Sequence, residues 1–269
     1  MNSNTFNYNF KWIGGATWIL RIAGVKIACD PVLCSEGTIQ DYRYFKSERM
    51  TAPHYDKKDF EDVDLWLLTH NHEDHIDSPG MEVINPDKKI IAHKSHQKLS
   101  LIKAMDDIIY MDGFKKEMQF LSIKGVDIKI TSIPAIHAKR KFFSSLIGNG
   151  NGYILEIEKD KNRFAAYVTG DSVFDKKHAE RYLPQKMNLV IANAGCAEIG
   201  TSLLADVIGR VTNDNNDIFR LNDFINPEVL IPVHWGTFSH YREPVTDGIS
   251  SLSRNIIFIK EGDFYQHEA

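Results

Sequence analysis

The sequence is poor in cysteine, has no excess of basic residues and contains no long hydrophobic run. Its 269 residues include only Cys29, Cys34 and Cys196, an odd and sparse set that excludes a disulfide-rich framework. Lysine and arginine number 32 against 36 acidic residues, so the formal net charge is −4, which disfavours bulk electrostatic binding of nucleic acid. No apolar stretch approaches the roughly 18 residues of a membrane span.

The remaining composition is that of an ordinary globular protein, with 43% hydrophobic and 25% charged residues. The N-terminal residues show no basic stretch followed by an apolar run, so we expect no signal peptide and a cytoplasmic location. No linker, low-complexity segment or repeat divides the chain. We therefore predict a single domain over residues 1–269.

Short apolar runs alternate with turn and helix signals along the chain. Residues 16–22 and 25–29 predict one β-hairpin, and residues 152–157 and 163–168 predict another. Ser78-Pro79 predicts a helix N-terminus, with Ser78 as the N-cap, and residues 35–60 predict a long loop. Further strands are predicted over 63–68, 89–92, 126–130, 189–192, 229–233 and 256–259, with helices over 95–105 and 214–225. This interleaving favours an α/β sandwich with mixed sheets.

The most informative motif is His70-x-His72-x-Asp74-His75, which directly follows an apolar strand. In an extended backbone His70, His72 and Asp74 project to one side, and His75 points elsewhere unless the chain bends. Such an arrangement can serve two metal ions. The alternative, that these are unrelated surface-loop residues, is weakened because the strands before Asp171 and His234 also end at ligand-type residues.

The motif resembles the signature of the metallo-β-lactamase superfamily, and Asp30, His137, Asp171 and His234 follow the family pattern in order along the chain. Residues 234–243 are similar to the ending found in the branch that contains ascorbate-6-phosphate lactonase and many uncharacterised metal-dependent hydrolases. The resemblance implies a four-layer αββα sandwich with the site at one edge. Members of this branch are often oligomeric, which leaves a homo-oligomer open.

The resemblance also implies a ligand set for two divalent metal ions. One ion takes His70, His72 and His137, the other takes Asp74, His75 and His234, and Asp171 bridges both. Imidazole and carboxylate ligands suit Zn, Mn or Fe. Two such ions lower the pKa of a shared water toward about 7, and the resulting hydroxide attacks a carbonyl carbon or a phosphorus. Asp74 is thus both a ligand and a catalytic residue.

Residues near the ligands each have a functional and a plain interpretation. Asp30 orients a ligand histidine, or forms an Asp-Pro turn. Asn193 positions a ligand, or belongs to an ordinary Asn-Ala-Gly turn. His240 faces the substrate as a catalytic residue or proton donor, or is an exposed loop histidine. Glu243 holds His240 or an early-strand ligand, or is a solvated charge, which is the favoured interpretation.

Substrate-binding residues are less well defined by the sequence. The basic run Lys139-Arg140-Lys141 follows His137 and could anchor a phosphate or carboxylate, although charge runs in loops are more often solvated. The 35–60 segment could form a substrate-facing flap that carries Arg43 and Arg49 together with Tyr42, Tyr44 and Phe45.

Three functions compete on this evidence. The first is a metal-dependent hydrolase of a small anionic ester or lactone. The second is a phosphodiesterase that acts on nucleotides or phospholipid headgroups at the same site. The third is a metal-containing protein without enzymatic activity, which the complete ligand set disfavours. We expect a small-molecule substrate and neither a nucleic acid nor a membrane as a partner.

Overall fold

Two β-sheets packed face to face form the centre of the computed structural model, which describes residues 6–42, 45–99, 102, 105, 107–136, 148–198 and 209–268. The strands are β1 (Tyr8–Gly14), β2 (Thr17–Ile22), β3 (Val25–Cys29), β4 (Ile39–Asp41), β5 (Lys46–Glu48), β6 (Leu65–Leu68), β7 (Lys89–His93), β8 (Ile108–Met111), β9 (Met118–Ile123), β10 (Val126–Ala135), β11 (Gly150–Lys159), β12 (Asn162–Val168), β13 (Leu189–Asn193), β14 (Val229–Val233) and β15 (Phe264–His267). The α-helices are α1 (Ser78–Glu82), α2 (Lys176–Tyr182), α3 (Asn215–Ile225) and α4 (Gly248–Leu252).

Both large sheets are mixed. The first has seven strands in the order β15-β1-β2-β3-β6-β7-β8, and the second has six in the order β14-β13-β12-β11-β10-β9. In the first sheet β3, β6, β7 and β8 run parallel to one another, and in the second β12, β13 and β14 do so. Antiparallel hairpins complete both sheets, and β4 pairs with β5 as a separate small hairpin.

Three apolar clusters separate four layers. The largest lies between the sheets, where residues such as Phe10 and Leu67 meet Tyr153 and Ile191. A second cluster joins the outer face of the six-stranded sheet to α2, α3 and α4. A third joins the outer face of the seven-stranded sheet to α1 and the segments around it. Because each sheet buries both faces, the predicted four-layer αββα sandwich is confirmed.

Most predicted elements are confirmed, and four need correction. The 35–60 segment is not a featureless loop, because it forms the β4–β5 hairpin and a 3₁₀ helix. The N-cap of α1 is Asp77 rather than Ser78, since the Asp77 carboxylate accepts the Gly80 amide at 2.7 Å. The helix expected over 95–105 is a short 3₁₀ helix, Lys94–Lys98, in its described part. The last strand is β15 rather than 256–259, because β15 forms a ladder with β1 whereas Ile256 makes one isolated bridge.

The parallel strands of the two sheets end at one shared edge. Polar residues follow the carboxyl ends of these strands: Asp30 after β3, His70 after β6, Asp171 after β12 and His234 after β14, while Asn193 ends β13. This is where α/β folds place ligand-binding groups. Within the described residues, no helix is both long and apolar enough to cross a membrane.

Candidate metal centre

The motif after β6 is a turn and not an extended strand. The amide groups of His75 and Ile76 both donate to the carbonyl oxygen of His72, at 3.0 and 3.1 Å. This bend removes the strand-like alternation, so His75 and Asp74 reach the same centre as His70. His70, Asp74 and His75 are buried, and His72 is half-buried. The sequence predicted that His75 would point away from the other three residues unless the chain bends, and the chain does bend here.

Two groups of ligand-type atoms face each other across Asp171. The first group is Asp74, His75, Asp171 and His234, and the second is His70, His72 and Asp171; within each group the ligand atoms lie within 4.8 Å of one another. Asp171 Oδ1 lies 3.0 Å from His75 Nε2 and 3.5 Å from His234 Nε2. Its second oxygen, Oδ2, lies 3.8 Å from His70 Nε2. One carboxylate thus turns one oxygen to each group.

The donor set fits divalent cations. His75 Nε2 and His234 Nε2 lie 3.1 Å apart, and His70 Nε2 lies 2.9 Å from His72 Nδ1. Paired imidazole nitrogens that converge on carboxylates are the arrangement that a shared cation stabilises. These nitrogen and oxygen donors are compatible with Zn, Mn or Fe. His70, His72, Asp74, His75, Asp171 and His234, six of the seven predicted ligands, are thereby brought together; their assignment as ligands stays a prediction.

Asp30 holds the ligand turn in place through hydrogen bonds to Thr69 and His75. Its Oδ1 accepts the Thr69 amide at 2.7 Å, and its Oδ2 accepts the Thr69 hydroxyl at 2.6 Å and lies 2.7 Å from His75 Nδ1. An acceptor at Nδ1 turns His75 Nε2 toward Asp171, which is how carboxylates orient metal-binding histidines. Asn193 Nδ2 donates to Asp171 Oδ1 at 2.9 Å and fixes the shared carboxylate. Both contacts agree with the functional interpretations of Asp30 and Asn193.

The backbone is strained at or beside several residues of this centre. Asp30 has a φ of 41° and His234 a φ of 63°, in the left-handed region that non-glycine residues rarely adopt. Gly170, beside Asp171, has a φ of 58°, and a Cβ there would lie 2.6 Å from the Asn151 carbonyl oxygen. Such conformations cost about 1–3 kcal/mol each and cluster at functional sites.

The cluster also perturbs protonation. Burial lowers the pKa of His75, but Asp171 and Asp30 outweigh it and hold that pKa well above the ordinary value. Burial raises the pKa of Asp74, yet hydrogen bonds from His234 and His240 hold it well below its usual range. The pKa of Asp171 is likewise lowered, because His75 and His234 outweigh burial. The pocket therefore keeps the Asp74 and Asp171 carboxylates ionised, and a cation that binds there would take the place of the positive charge that His75 carries.

His240 belongs to this centre and is not an exposed loop residue. It is 5% exposed, its Nε2 lies 3.3 Å from Asp74 Oδ2, and its Nδ1 lies 2.6 Å from the Ser47 hydroxyl. Glu243 holds neither His240 nor an early-strand ligand. Instead, its carboxylate accepts the backbone and side-chain amides of Asn215 at the start of α3.

Other sequence predictions fall outside the centre or outside the described residues. Arg49 is fully buried and donates to the Val32 carbonyl oxygen at 2.9 Å, so it does not face a substrate. Arg43, Tyr44, His137, Lys139 and Arg140 lie outside the described residues, and their roles stay predictions. Of the described residues on either side of 137–147, Ile136 accepts the Val173 amide at 3.0 Å, and a Cβ on Gly148 would lie 3.7 Å from His72 Nε2.

Sequence reasoning assigned no role to Tyr241, which the structure places inside the centre. Its hydroxyl lies 2.8 Å from His234 Nε2 and 3.1 Å from Asp74 Oδ2. The available signal was its position next to His240 in the 234–243 segment. Ser47 and Thr69 were also missed, because serine and threonine in loops give no distinctive pattern.

Comparison with known proteins shows the family of the chain. A family model described as a β-lactamase superfamily domain matches residues 26–235. The chain belongs to the metallo-β-lactamase superfamily and is a metal-dependent hydrolase of that class. It is 26% identical to a UPF0173 metal-dependent hydrolase of Methanopyrus kandleri, over 95% of this chain and 98% of the relative. It is 21% identical to a UPF0173 protein of Bacillus subtilis, over 96% and 99% of the two chains.

Solved structures share the fold. A possible metal-dependent hydrolase from Veillonella parvula superposes with a TM-score of 0.74 at 19% identity, covering 97% of this chain and 98% of the other. An isothiocyanate hydrolase from Delia radicum gut bacteria superposes with a TM-score of 0.73 at 20% identity, covering 97% and 100%. Nothing in these similarities points to the ascorbate-6-phosphate lactonase branch in particular, which stays a prediction.

Proposed function

We propose that the protein hydrolyses a small ester or lactone at a centre that holds two divalent cations, Zn or Mn. The observation that carries the proposal is the Asp171 carboxylate, which turns one oxygen to each of two donor groups. A single-ion site would need only one of these groups. When bound, the cations would supply Lewis acidity and an activated water.

The chain's own residues prepare the centre for hydrolysis. Asp30 holds His75, and Asn193 holds Asp171, so the donors are fixed before a substrate arrives. His240 is placed to hold a proton at Nε2 beside Asp74, while Ser47 fixes the other ring nitrogen. A positioned imidazole of this kind can transfer a proton to a departing oxygen. We therefore assign His240 as the proton-transfer residue of the proposed reaction.

A parallel hydrolysis assay on metal-reconstituted protein tests the proposal. One arm offers phosphorylated and plain sugar lactones with simple aryl esters, and the other offers aryl phosphodiesters. His72→Ala serves as the blank, because it removes one predicted ligand. We expect faster, mutant-sensitive opening of the carbon esters. Faster phosphodiester cleavage would instead support phosphorus chemistry. No mutant-sensitive hydrolysis in either arm would contradict both.

The lactone arm also tests the predicted anionic group of the substrate. If Lys139 and Arg140 anchor an anion, phosphorylated lactones should be opened with a lower KM than plain ones, and Arg140→Gln should remove the difference. An equal KM for both lactones would assign these residues to a solvated loop.

A further inference from the structure

The β4–β5 hairpin is fixed to both sides of the metal centre. Gln40 Nε2 donates to the carbonyl oxygen of Glu73, within the ligand turn, at 2.6 Å. On the other strand, the Ser47 hydroxyl lies 2.6 Å from His240 Nδ1. The Glu48 amide also donates to the Ser239 hydroxyl at 3.0 Å. The hairpin therefore has a defined position relative to the reacting groups, although the sequence predicted only a loop here.

Two aromatic side chains of this hairpin stand beside the centre. The rings of Tyr42 and Phe45 are stacked, with centroids 4.7 Å apart and planes inclined by 9°. Both rings contact His240, at centroid distances of 5.6 and 5.5 Å. Burial and the Asp74 carboxylate raise the pKa of the Tyr42 phenol well above its ordinary value. We call Tyr42 and Phe45 the aromatic pair.

The aromatic pair has the properties of an apolar surface that can bind part of a substrate, and we call this surface the binding wall. Both residues are half-buried, so part of each remains accessible to solvent. The Tyr42 hydroxyl donates to Gln40 Oε1 at 2.6 Å, so its polar atom is already satisfied by the hairpin. What remains is an apolar π-surface next to His240. Such a surface favours flat apolar groups through stacking or edge contacts.

We propose that the aromatic pair binds a flat apolar group of the substrate, so that the preferred substrates are aryl or arylalkyl esters and lactones. This inference rests on the proposed hydrolase function for its placement in catalysis. The binding preference itself can be measured without turnover.

The test is equilibrium binding of product-like carboxylates to the zinc-loaded protein, measured by isothermal titration calorimetry. The probes are acetate, phenylacetate, cyclohexylacetate and trimethylammonioacetate, which share the carboxylate and differ in the attached group. We expect phenylacetate to bind about 3- to 10-fold more tightly than cyclohexylacetate. Phe45→Leu should abolish this ratio, and Phe45→Tyr should retain it because a stacking ring remains.

The matched control is Phe120→Leu, since Phe120 is an exposed aromatic residue on edge strand β9, remote in the fold topology from the hairpin. It should leave the ratio unchanged. Thermal melting of each variant checks that the fold is intact.

Three results would overturn the inference: equal binding of the flat and saturated rings, tightest binding of the trimethylammonium probe, or an unchanged ratio in a folded Phe45→Leu variant. Tightest binding of the cationic probe would indicate a cation-binding wall instead. If the ratio is as expected but no ester is hydrolysed, the proposed function fails and the binding wall stands. If esters are hydrolysed without an aryl preference, the binding wall fails and the proposed function stands.

Discussion

Two groups of buried histidines differ in the charged groups that lie next to their rings. His75, at the metal centre, contacts Asp30 and Asp171, whose carboxylates hold its pKa well above the ordinary value against the effect of burial. His93 and His96 are 2% and 0% exposed, and burial lowers the pKa of each to about 4. Within the described residues, the Nε2 atoms of this second pair have no hydrogen-bond partner.

The difference shows that burial alone does not set the charge of a histidine. Carboxylates on neighbouring strand ends make one group able to hold a cation, whereas burial outweighs the influence of Asp112 on His93 and of Asp30 on His96 and keeps the other group neutral. His93 and His96 lack a ligand pattern in the sequence, and their Nδ1 atoms have local partners, Ser95 Oγ for His93 and the His93 carbonyl oxygen for His96. Substitutions at the metal centre should therefore change metal affinity or turnover, whereas a substitution at His96 should change the pH dependence of stability.

Removing the shared carboxylate should have the largest effect. Asp171→Ala takes away an oxygen from each donor group, so both cations should be lost and metal affinity should fall by at least about 100-fold. Metal content after dialysis, measured by mass spectrometry, gives the result. The control is Asp217→Ala, which removes another buried carboxylate, one that pairs with Arg210. Full metal content in Asp171→Ala would reject the bridging role.

Weakening the support of His75 should have the next largest effect. Asp30→Asn keeps the shape of the side chain but removes one acceptor from a position that serves Thr69 and His75. Metal affinity should fall by about 10- to 100-fold. Asp64→Asn is the matched control, because Asp64 is also buried and accepts a backbone amide, at the other end of β6. Competitive titration with a chelator compares the two variants, and equal affinities would contradict the positioning role.

The neutral pair predicts acid sensitivity of the fold. In the folded protein His93 and His96 each have a pKa of about 4, below the ordinary 6.5. As the pH falls, these two rings therefore bind protons in the unfolded chain before they do so in the folded protein. The stability that the neutral rings contribute is present above about pH 6.5 and is lost toward pH 4. In His96→Gln, the loss of unfolding free energy between pH 7 and 4.5 should shrink by about 2 kcal/mol.

Denaturant unfolding at several pH values measures this effect. The control is His54→Gln, which replaces an exposed histidine and should leave the pH dependence unchanged. An identical pH dependence in His96→Gln and the wild type would show that the buried ring is not held neutral.

The smallest effect is expected at Ser47. Ser47→Ala removes the hydroxyl that fixes His240 Nδ1, so turnover should fall by about 2- to 10-fold while metal content stays unchanged. The pH–rate profile should shift as well, since the proposed proton-transfer ring loses a hydrogen-bond partner, and Ser47→Thr should restore much of the rate. Ser122→Ala, on exposed β9, is the control. An unshifted profile would leave Ser47 a purely structural role.

The sequence predicted the elements that short-range patterns define. The two hairpins, β6, α3 and the ligand-type residues at strand ends follow from apolar periodicity and local motifs. The β4–β5 hairpin did not, because its strands are three residues each and are held by contacts with Glu73 and His240, far away in sequence. Tyr241 was missed for the same reason: its role comes from contacts with Asp74 and His234 and not from its own spacing.

The most direct test of the two-group centre is the number of divalent ions per chain in the wild type and in two single variants. His70→Ala removes a donor from one group, and His234→Ala removes a donor from the other. We expect two ions per chain in the wild type and one in each variant, with the remaining ion at a different position in the two variants in anomalous diffraction maps. One ion in the wild type, lost in both variants, would contradict this expectation.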